Sequence, residues 1–319
     1  MKIAITGANG FVGSTLLTHL HHKGFEPLAF VRKPFRLNSI PVRIVDYSNP
    51  NTLSRALSDV DVLIHNAGMT KSVSRGEMLA ANVGITRNVV QAVNQAKHPI
   101  RLIYISSQAA SGPSSAQTPR RESDALAPIS IYGKSKAIAE RVVQTQCSQA
   151  WNIVRPCSVY GPGDRDFLSL FRLCNSGFSL QIGKKERPLN MIHVSQLADF
   201  LLHLIMNQQV MGEIFFATDN QVYTQALIVD AICAAIGKKS RRLIVPEALA
   251  HLAFGALDGW GRLRSLPSAM NLEKYHELSA EGWVADPQKA QGLLGWNPPA
   301  MLPELICETY RWYRENSWL

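Results

Sequence analysis

The chain has 319 residues, of which 46% are hydrophobic and 18% are charged, and it shows no low-complexity tract or internal repeat. This composition excludes a disordered chain, and the length suits one large or two modest domains. The formal charge of +9 raises the question of nucleic-acid binding. The basic residues are scattered, however, and form no stripe interleaved with aromatic residues, so we expect no nucleic-acid partner.

The cysteines and the lengths of the apolar runs favour a cytoplasmic protein. The five cysteines are an odd number and have no CxxC spacing, which favours reduced thiols, a cytoplasmic protein and no metal site. The sequence opens directly on a strand pattern, with no signal peptide ahead of it. No apolar run approaches the roughly 20 residues of a membrane span, so we expect no stable membrane insertion.

The most informative stretch is the first strand pattern and the turn after it. Residues 2–6 form a short apolar strand, residues 7–13 read GANGFVG, and a helix pattern follows from about Ser14 to His22. In a dinucleotide-binding turn, Gly7 allows the tight turn, Gly10 lets the backbone approach a pyrophosphate, and Gly13 lets helix and strand pack closely. The strand before and the helix after the glycines favour that function over a plain strand–helix turn.

Strand and helix patterns then alternate through the first half of the chain. This alternation predicts parallel strands joined by helical crossovers, and therefore an α/β, Rossmann-like, doubly wound parallel sheet. The predicted strands are residues 2–6, 27–31, 42–46, 60–65, 101–106 and 152–155, and the predicted helices are residues 51–58, 76–97 and 131–145.

The pattern changes after Pro156. We expect a dinucleotide-binding domain over residues 1–162 and a smaller C-terminal α/β substrate-binding lobe over 163–319, with segments near 190–217 returning to the large sheet. The apolar helix near 248–263 is suited to a pocket wall or a dimer contact, and less so to a membrane surface or a partner helix. The other predicted elements are helices 167–175, 194–207, 225–236 and 302–314 and strands 213–217 and 243–245.

The end of the second strand indicates which nicotinamide cofactor is used. An acidic residue there would hold the ribose hydroxyls of NAD, but the sequence reads Val31-Arg32-Lys33. A guanidinium pairs with phosphate in bidentate fashion, so Arg32 favours NADP(H) over NAD(H). Asp46, at the end of the third strand, is placed either to meet the adenine edge or to start a turn.

Tyr132 and Lys136 are the candidate proton-transfer pair. Four residues apart on a predicted helix, they project from the same face. A tyrosine with its ordinary pKa of about 10 is a poor acid–base catalyst. We expect the Lys136 ammonium to stabilise the phenolate and to lower that pKa. Ser106 and Ser107 follow the fifth strand, where a hydroxyl can bind a substrate oxygen beside the tyrosine.

Taken together, these motifs resemble the extended short-chain dehydrogenase/reductase superfamily, in its epimerase/dehydratase-like group. The resemblance covers roughly the first 200 residues. The pattern is closest to dihydroflavonol reductases and 3β-hydroxysteroid dehydrogenases. The matching segments are TGANGFVG (6–13), HNAG (65–68), NVGITRNVVQA (82–92), YISSQAASG (104–112), YGKSK (132–136) and RPCSVYGPGD (155–164).

The resemblance implies a site as well as a fold. Tyr132 would be the catalytic acid/base, Lys136 would lower its pKa and bind the nicotinamide ribose, and Ser107 rather than Ser106 would be the catalytic serine. Asn82 would either support the nicotinamide or brace a helix. A homodimer through the helices near 76–97 and 131–145 is a further family expectation. The predicted cofactor-binding residues are Gly7, Asn9, Gly10, Phe11, Val12, Gly13, Arg32, Asp46, Tyr47, Asn66, Ala67, Gly68, Asn82, Lys136 and Pro156.

Departures from the family's sugar-nucleotide enzymes favour a reductase. Such epimerases usually carry Asn three residues after the arginine of the sixth strand, where this chain has Ser158. They also tend to place an arginine four residues before the histidine at 193, where this chain has Leu189; the nearest arginine is Arg187. We treat His193 itself as structural.

The sequence therefore predicts an NADP(H)-dependent oxidoreductase that interconverts a carbonyl and an alcohol on a small-molecule substrate. A nucleotide-sugar epimerase or dehydratase with tightly retained cofactor is one alternative. The other is a non-catalytic NADP-binding sensor or scaffold. The substrate itself is not predicted, because a fold carries no substrate information.

Overall fold

The computed structural model describes residues 1–34, 39–72, 74–264 and 271–319. The strands are β1 (Lys2–Thr6), β2 (Glu26–Val31), β3 (Val42–Ile44), β4 (Val62–His65), β5 (Arg101–Ile105), β6 (Trp151–Pro156), β7 (Ser158–Tyr160), β8 (Phe178–Ile182), β9 (Met191–His193), β10 (Glu213–Ala217) and β11 (Arg241–Val245). The helices are α1 (Phe11–His22), α2 (Pro50–Ala56), α3 (Arg75–Leu79), α4 (Ile85–Asn94), α5 (Ile131–Gln146), α6 (Arg165–Asn175), α7 (Val194–Met206), α8 (Gln225–Ile236), α9 (Glu247–Leu263), α10 (Leu272–Ser279), α11 (Gln288–Leu294) and α12 (Leu302–Glu315).

Seven parallel strands form the main sheet, in the order β10-β6-β5-β4-β1-β2-β3. Its central strands are mostly apolar, with polar residues at their ends, because helices cover both faces of the sheet. One face packs against α1 and α7, and the other packs against α2, α4 and α5. The predicted Rossmann-like doubly wound sheet is confirmed, and the carboxyl ends of all seven strands meet at one edge.

The second half of the chain contributes to the main sheet and also builds separate elements. β10 pairs with β6, so residues 213–217 belong to the main sheet. Two small parallel pairs, β7 with β9 and β8 with β11, lie outside it. A separate apolar core, which includes Phe171 and Tyr313, joins α6, α8 and α12.

The structure differs from the sequence prediction in a few elements. The predicted helix over 76–97 begins at Arg75, ends at Asn94 and is interrupted by a π-helical turn over residues 80–84. The third strand ends at Ile44 rather than at Asp46, because Asp46 starts a turn. The short strands β7 and β9 and the helices α10 and α11 were not expected, since each is too short to show a clear hydrophobic period.

Three further observations bear on location and cofactors. Within the described ranges, no helix is both long enough and apolar enough to cross a bilayer. The five cysteine thiols are free. Among the same described residues, no group of three or more His, Cys, Asp or Glu side chains is arranged to hold a metal ion.

Candidate active site

The glycine turn lies at the carboxyl edge of the sheet, between β1 and α1. Gly7 adopts a positive φ of 66°, which favours glycine, and a Cβ there would lie 2.9 Å from the backbone of Ala67. A Cβ on Gly13 would lie only 2.2 Å from the Gly7 carbonyl oxygen. Both positions therefore require glycine, and the turn brings the backbone of β1, α1 and the loop after β4 into close contact.

The start of α1 is suited to an anion. Gly10 is the N-cap residue, and no side chain among the described residues caps this end of the helix. The first-turn N–H groups of Phe11, Val12 and Gly13 are therefore available, and the helix dipole adds positive potential there. Asn9 and Gly10 are exposed beside them. This cradle fits the pyrophosphate of a dinucleotide.

The loop after β4 is held by a buried hydrogen-bonded chain centred on His65. The Thr86 hydroxyl donates to the Asn82 carbonyl (2.6 Å), so its oxygen accepts from Nε2–H of His65 (3.0 Å). Nδ1 of His65 is then the acceptor for the Thr6 hydroxyl (2.8 Å), whose oxygen accepts from the Ala67 N–H (2.9 Å). Burial, with a smaller effect from Lys136, lowers the pKa of His65 to about 3. His65 is therefore a neutral structural residue that positions Asn66, Ala67 and Gly68.

Asn82 holds the same loop against α5. Its side-chain oxygen accepts from the Met69 N–H (2.6 Å), and its amide nitrogen donates to the Met69 carbonyl (2.9 Å) and to the Ser135 hydroxyl (2.8 Å). It lies in the π-helical turn over residues 80–84, a local distortion that is frequent at functional sites. These contacts fit the bracing role, and a contact of Asn82 with the nicotinamide side stays a prediction.

Tyr132 and Ser107 lie together at the edge of the sheet. Tyr132 is in the first turn of α5, and Ser107 follows β5. Removal from water raises the pKa of Tyr132 to about 12; a hydrogen bond with the Ser107 side chain opposes this rise, and the charge of Glu277 adds to it. The expected lowering of this pKa by Lys136 is absent. A phenol held in its protonated form by burial is suited to donating a proton to a substrate oxygen.

Lys136 lies one helical turn further along α5 and is buried. Its Nζ donates to the Ile105 carbonyl (2.8 Å) and lies 5.0 Å from the centre of the Tyr104 ring. These contacts direct the ammonium away from a close ion pair with the phenol. Burial lowers the pKa of Lys136 to about 8, and Glu140 opposes this change. A Cβ added to Gly68 would lie 3.4 Å from Nζ, so the ammonium faces the loop that follows β4.

The two serines after β5 have different surroundings. The Ser106 hydroxyl donates to Oε1 of Glu140 (2.5 Å). Glu140 in turn forms a bidentate ion pair with Arg155, through Nε (2.9 Å) and Nη2 (2.8 Å). Both charged side chains are almost completely buried. Ser106 is thus committed to the core, while Ser107 faces Tyr132. Sequence reasoning missed Glu140, although an acid four residues after Lys136 was a visible signal.

Helix α10 contacts the start of α5. A carboxylate oxygen of Glu273 accepts from the Ile131 N–H (3.0 Å) at the start of α5, next to Tyr132. The Ser130 hydroxyl accepts from the Gly133 N–H (3.1 Å) in the same turn. Glu277, one turn after Glu273, is the charge that acts on the Tyr132 phenol. No local sequence signal connects α10 to this site, because the partners are 142 residues apart.

The other residues predicted to bind the cofactor differ in their exposure and in whether their polar atoms already have partners. Arg32 is exposed after β2, and Pro156 is buried at the end of β6. Asp46 is exposed and accepts from both the backbone N–H and the hydroxyl of Ser48 (2.9 and 2.6 Å), as a turn-starting residue does. Tyr47 is buried, and its hydroxyl donates to the Phe30 carbonyl (3.0 Å). Its polar atom is therefore used within the protein.

Arg187 and His193 are near the positions that sugar-nucleotide enzymes use, and both are engaged with other parts of this chain. Arg187 donates to the carbonyls of Ile182 and Lys185 and pairs with Glu247 of α9 (2.7 Å). His193 is buried at the start of α7, and burial lowers its pKa to about 4. Arg187 thus ties a loop to α9, and His193 caps a helix.

A comparison with protein families shows which family this chain belongs to. The model described as "NAD dependent epimerase/dehydratase family" matches residues 3–216. The chain belongs to this family. The predicted resemblance to the extended short-chain dehydrogenases/reductases is therefore confirmed, and the glycine cradle lies in the matched segment.

Members of the NAD-dependent epimerase/dehydratase family with several activities are similar to this chain. A ceramide reductase of Caulobacter vibrioides is 30% identical over 99% of this chain and 96% of its own length. A 3-beta-hydroxysteroid dehydrogenase of Mycolicibacterium neoaurum is 25% identical over 81% of this chain and 76% of its own length. The structure of MoeE5 in complex with UDP-glucuronic acid and NAD is 21% identical, covers 99% of this chain and 100% of that one, and has a TM-score of 0.78. This last likeness shows the fold alone.

Proposed function

We propose that the protein is an NADP(H)-dependent oxidoreductase that interconverts a ketone and a secondary alcohol on an apolar, lipid-like substrate. The observation that carries this proposal is that the Ser107 side chain acts on the half-buried Tyr132 phenol, which lies one helical turn from Lys136. The relatives named for ceramide and hydroxysteroid substrates support the apolar substrate class.

In this proposal the chain's own residues handle the proton. The Tyr132 hydroxyl donates its proton to the carbonyl oxygen during reduction and accepts it back during alcohol oxidation. Ser107 donates a hydrogen bond to the same substrate oxygen and fixes its position. The Lys136 ammonium, which faces Gly68, would bind the ribose hydroxyls of the cofactor.

The cofactor would be held along the carboxyl edge of the sheet. The backbone of residues 10–13 would bind the pyrophosphate, and Arg32 would bind the 2′-phosphate. When bound, NADP(H) supplies or accepts the hydride at the substrate carbon. The tight backbone turn that would bind the pyrophosphate requires Gly7 and Gly13, because a side chain at either position would collide with backbone atoms.

Tyr132→Phe tests the catalytic assignment. We expect kcat/KM for ketone reduction to fall by about 10²–10⁴-fold, because the proton donor is lost. NADPH affinity, measured by fluorescence titration, should stay unchanged. Tyr310→Phe, on α12, is the matched control and should retain full activity. A Tyr132→Phe enzyme that turns over at the wild-type rate would refute the proposal. Wild-type protein that binds NADPH but reduces no ketone, including a ceramide-type ketone and a 3-ketosteroid, would support a non-catalytic binding role.

Arg32→Ala tests the cofactor preference. A charge-assisted pair with phosphate is worth about 1.5–3 kcal/mol, so NADPH affinity should fall by about 10- to 100-fold. NADH affinity should stay the same, because NADH lacks the 2′-phosphate. Equal losses for both cofactors would contradict the assignment of Arg32.

The epimerase alternative is less well supported, because Arg187 is engaged with Glu247 and two carbonyls. It has a direct test in the purified protein. An epimerase returns the hydride in each turnover and retains its cofactor. We expect the cofactor to be removed by desalting, and a stoichiometric amount of cofactor surviving purification would favour the alternative.

A further inference from the structure

Helix α9 presents an apolar stripe that no described part of the chain covers. Leu249, Leu252, Leu257 and Trp260 are 58%, 67%, 42% and 58% exposed. With 3.6 residues per turn, Leu249, Leu252 and Trp260 lie along one side of the helix, and Leu257 lies at the edge of that side. The buried Phe254 is three residues before Leu257 and belongs to the packed side. The stripe is therefore a surface feature, and the pocket wall or dimer contact expected for this helix stays a prediction.

The small β8–β11 sheet, which leads into α9, adds a second apolar surface. In its parallel register Leu180 lies opposite Leu243 and Phe178 opposite Arg241, so these four side chains share one face. Phe178, Leu180 and Leu243 are each exposed. The chain passes from β11 to α9 through Pro246 alone, so the two apolar surfaces are neighbours.

Positive charge is concentrated around these surfaces. Residues 238–264 contain six lysine and arginine residues and two acidic residues, a net charge of +4 out of +9 for the whole chain. Arg241, Arg242 and Arg264 are exposed, and the Arg264 guanidinium lies 4.4 Å from the centre of the Trp260 ring.

The neighbouring loop extends the same charge distribution. Lys184 and Lys185 are exposed, and their loop is tied to the start of α9 by the ion pair between Arg187 and Glu247. Acidic side chains on the same elements are Glu186, Glu247 and Asp258, and Glu247 pairs with Arg187. Helix α10, which packs against α9, adds Glu273 and Glu277, and Glu277 pairs with Lys274. Over residues 183–187 and 238–264 together, nine lysine and arginine residues outnumber three acidic residues.

We propose that the stripe on α9, together with the exposed face of β8 and β11, docks the protein on the surface of an anionic lipid bilayer. Leucines and a tryptophan would enter the headgroup region, while the arginines and lysines would bind lipid phosphates. A symmetric contact between two copies would bring these cations together and is disfavoured. The proposal concerns location and does not depend on the reaction.

Vesicle flotation of the full-length protein tests this surface, without cofactor or substrate. The probes are vesicles of phosphatidylcholine alone and of phosphatidylcholine mixed with phosphatidylglycerol, at low and high salt. We expect binding to the anionic vesicles, weakened by salt. Arg241→Gln with Arg242→Gln should lower the partition coefficient by about 30-fold, which corresponds to about fivefold per charge. Leu252→Gln with Trp260→Gln should lower it at least about tenfold at either salt concentration.

The matched control is Met206→Gln with Leu293→Gln, which removes two exposed apolar side chains elsewhere on the surface. It should bind vesicles as the wild type does. Thermal unfolding of every variant checks that it is folded. Wild-type protein that does not bind anionic vesicles at low salt would overturn the proposal, as would equal losses in the control. A wild-type dimer that Leu252→Gln with Trp260→Gln converts to a monomer, measured by light scattering, would instead show an interface between copies. Because binding is measured without turnover, failure of the reductase proposal would leave this result unaffected.

Discussion

The buried pair of Glu140 and Arg155 connects the stability of the fold to the charge of Lys136. Its two hydrogen bonds are 2.8 and 2.9 Å long, and the side chains are 0% and 2% exposed. Glu140→Gln would leave the guanidinium buried without a counter-charge. Breaking such a pair costs about 3–5 kcal/mol. For a chain of this size the expected fall in Tm is about 5–10 °C.

The same substitution should change the pH dependence of activity. Glu140 raises the pKa of Lys136, which burial otherwise lowers to about 8. Without Glu140 this pKa falls further. Since Lys136 acts as an ammonium, the rate declines as pH rises through its pKa, and this decline should begin at a lower pH in the variant.

Two assays test this: urea unfolding monitored by fluorescence, and the pH profile of kcat/KM. Glu304→Gln, at an exposed position of α12, is the control and should change neither measurement. The double variant Glu140→Leu with Arg155→Met removes both charges and should recover most of the lost stability, because an apolar pair replaces a buried ion pair at little cost. Glu140→Gln with an unfolding free energy within about 1 kcal/mol of the wild type would refute the importance assigned to this pair.

Three further predictions follow from the site and its supports. Glu277→Gln removes a charge that raises the pKa of Tyr132, so the rising limb of the pH profile for alcohol oxidation should move to lower pH; an unmoved limb would contradict the contact. Burial raises the pKa of Asp164 from 3.8 to about 6, so its contribution to stability falls as pH rises through that range. Asp164→Asn cannot ionise, and urea unfolding should show it gaining stability relative to the wild type between about pH 4 and about pH 7.5. Gly13→Ala places a Cβ 2.2 Å from the Gly7 carbonyl and should weaken NADPH binding more than about tenfold. The control Gly292→Ala meets no neighbour and should add about 0.5–1 kcal/mol to helix stability; equal behaviour of the two alanine variants would argue against the tight turn.

The sequence by itself determined the features that depend on local spacing. The glycine turn places three glycines over seven residues, and Tyr132 and Lys136 are one helical turn apart, so the backbone geometry of a turn or helix largely fixes where they point. The alternation of strands and helices predicted the parallel sheet for the same reason. A parallel sheet then brings the carboxyl ends of its strands to one edge, which places Ser107 and Gly68 near the tyrosine.

Only the tertiary structure decided the partners that are distant in sequence. Glu273 accepts a hydrogen bond at the start of α5 from 142 residues away, and Arg187 forms its ion pair with Glu247 on α9. The raised pKa of Tyr132 also depends on burial and on Glu277, which no spacing rule reveals. Desolvation and ion pairing depend on which surfaces pack together, and packing is a property of the whole chain and not of a segment.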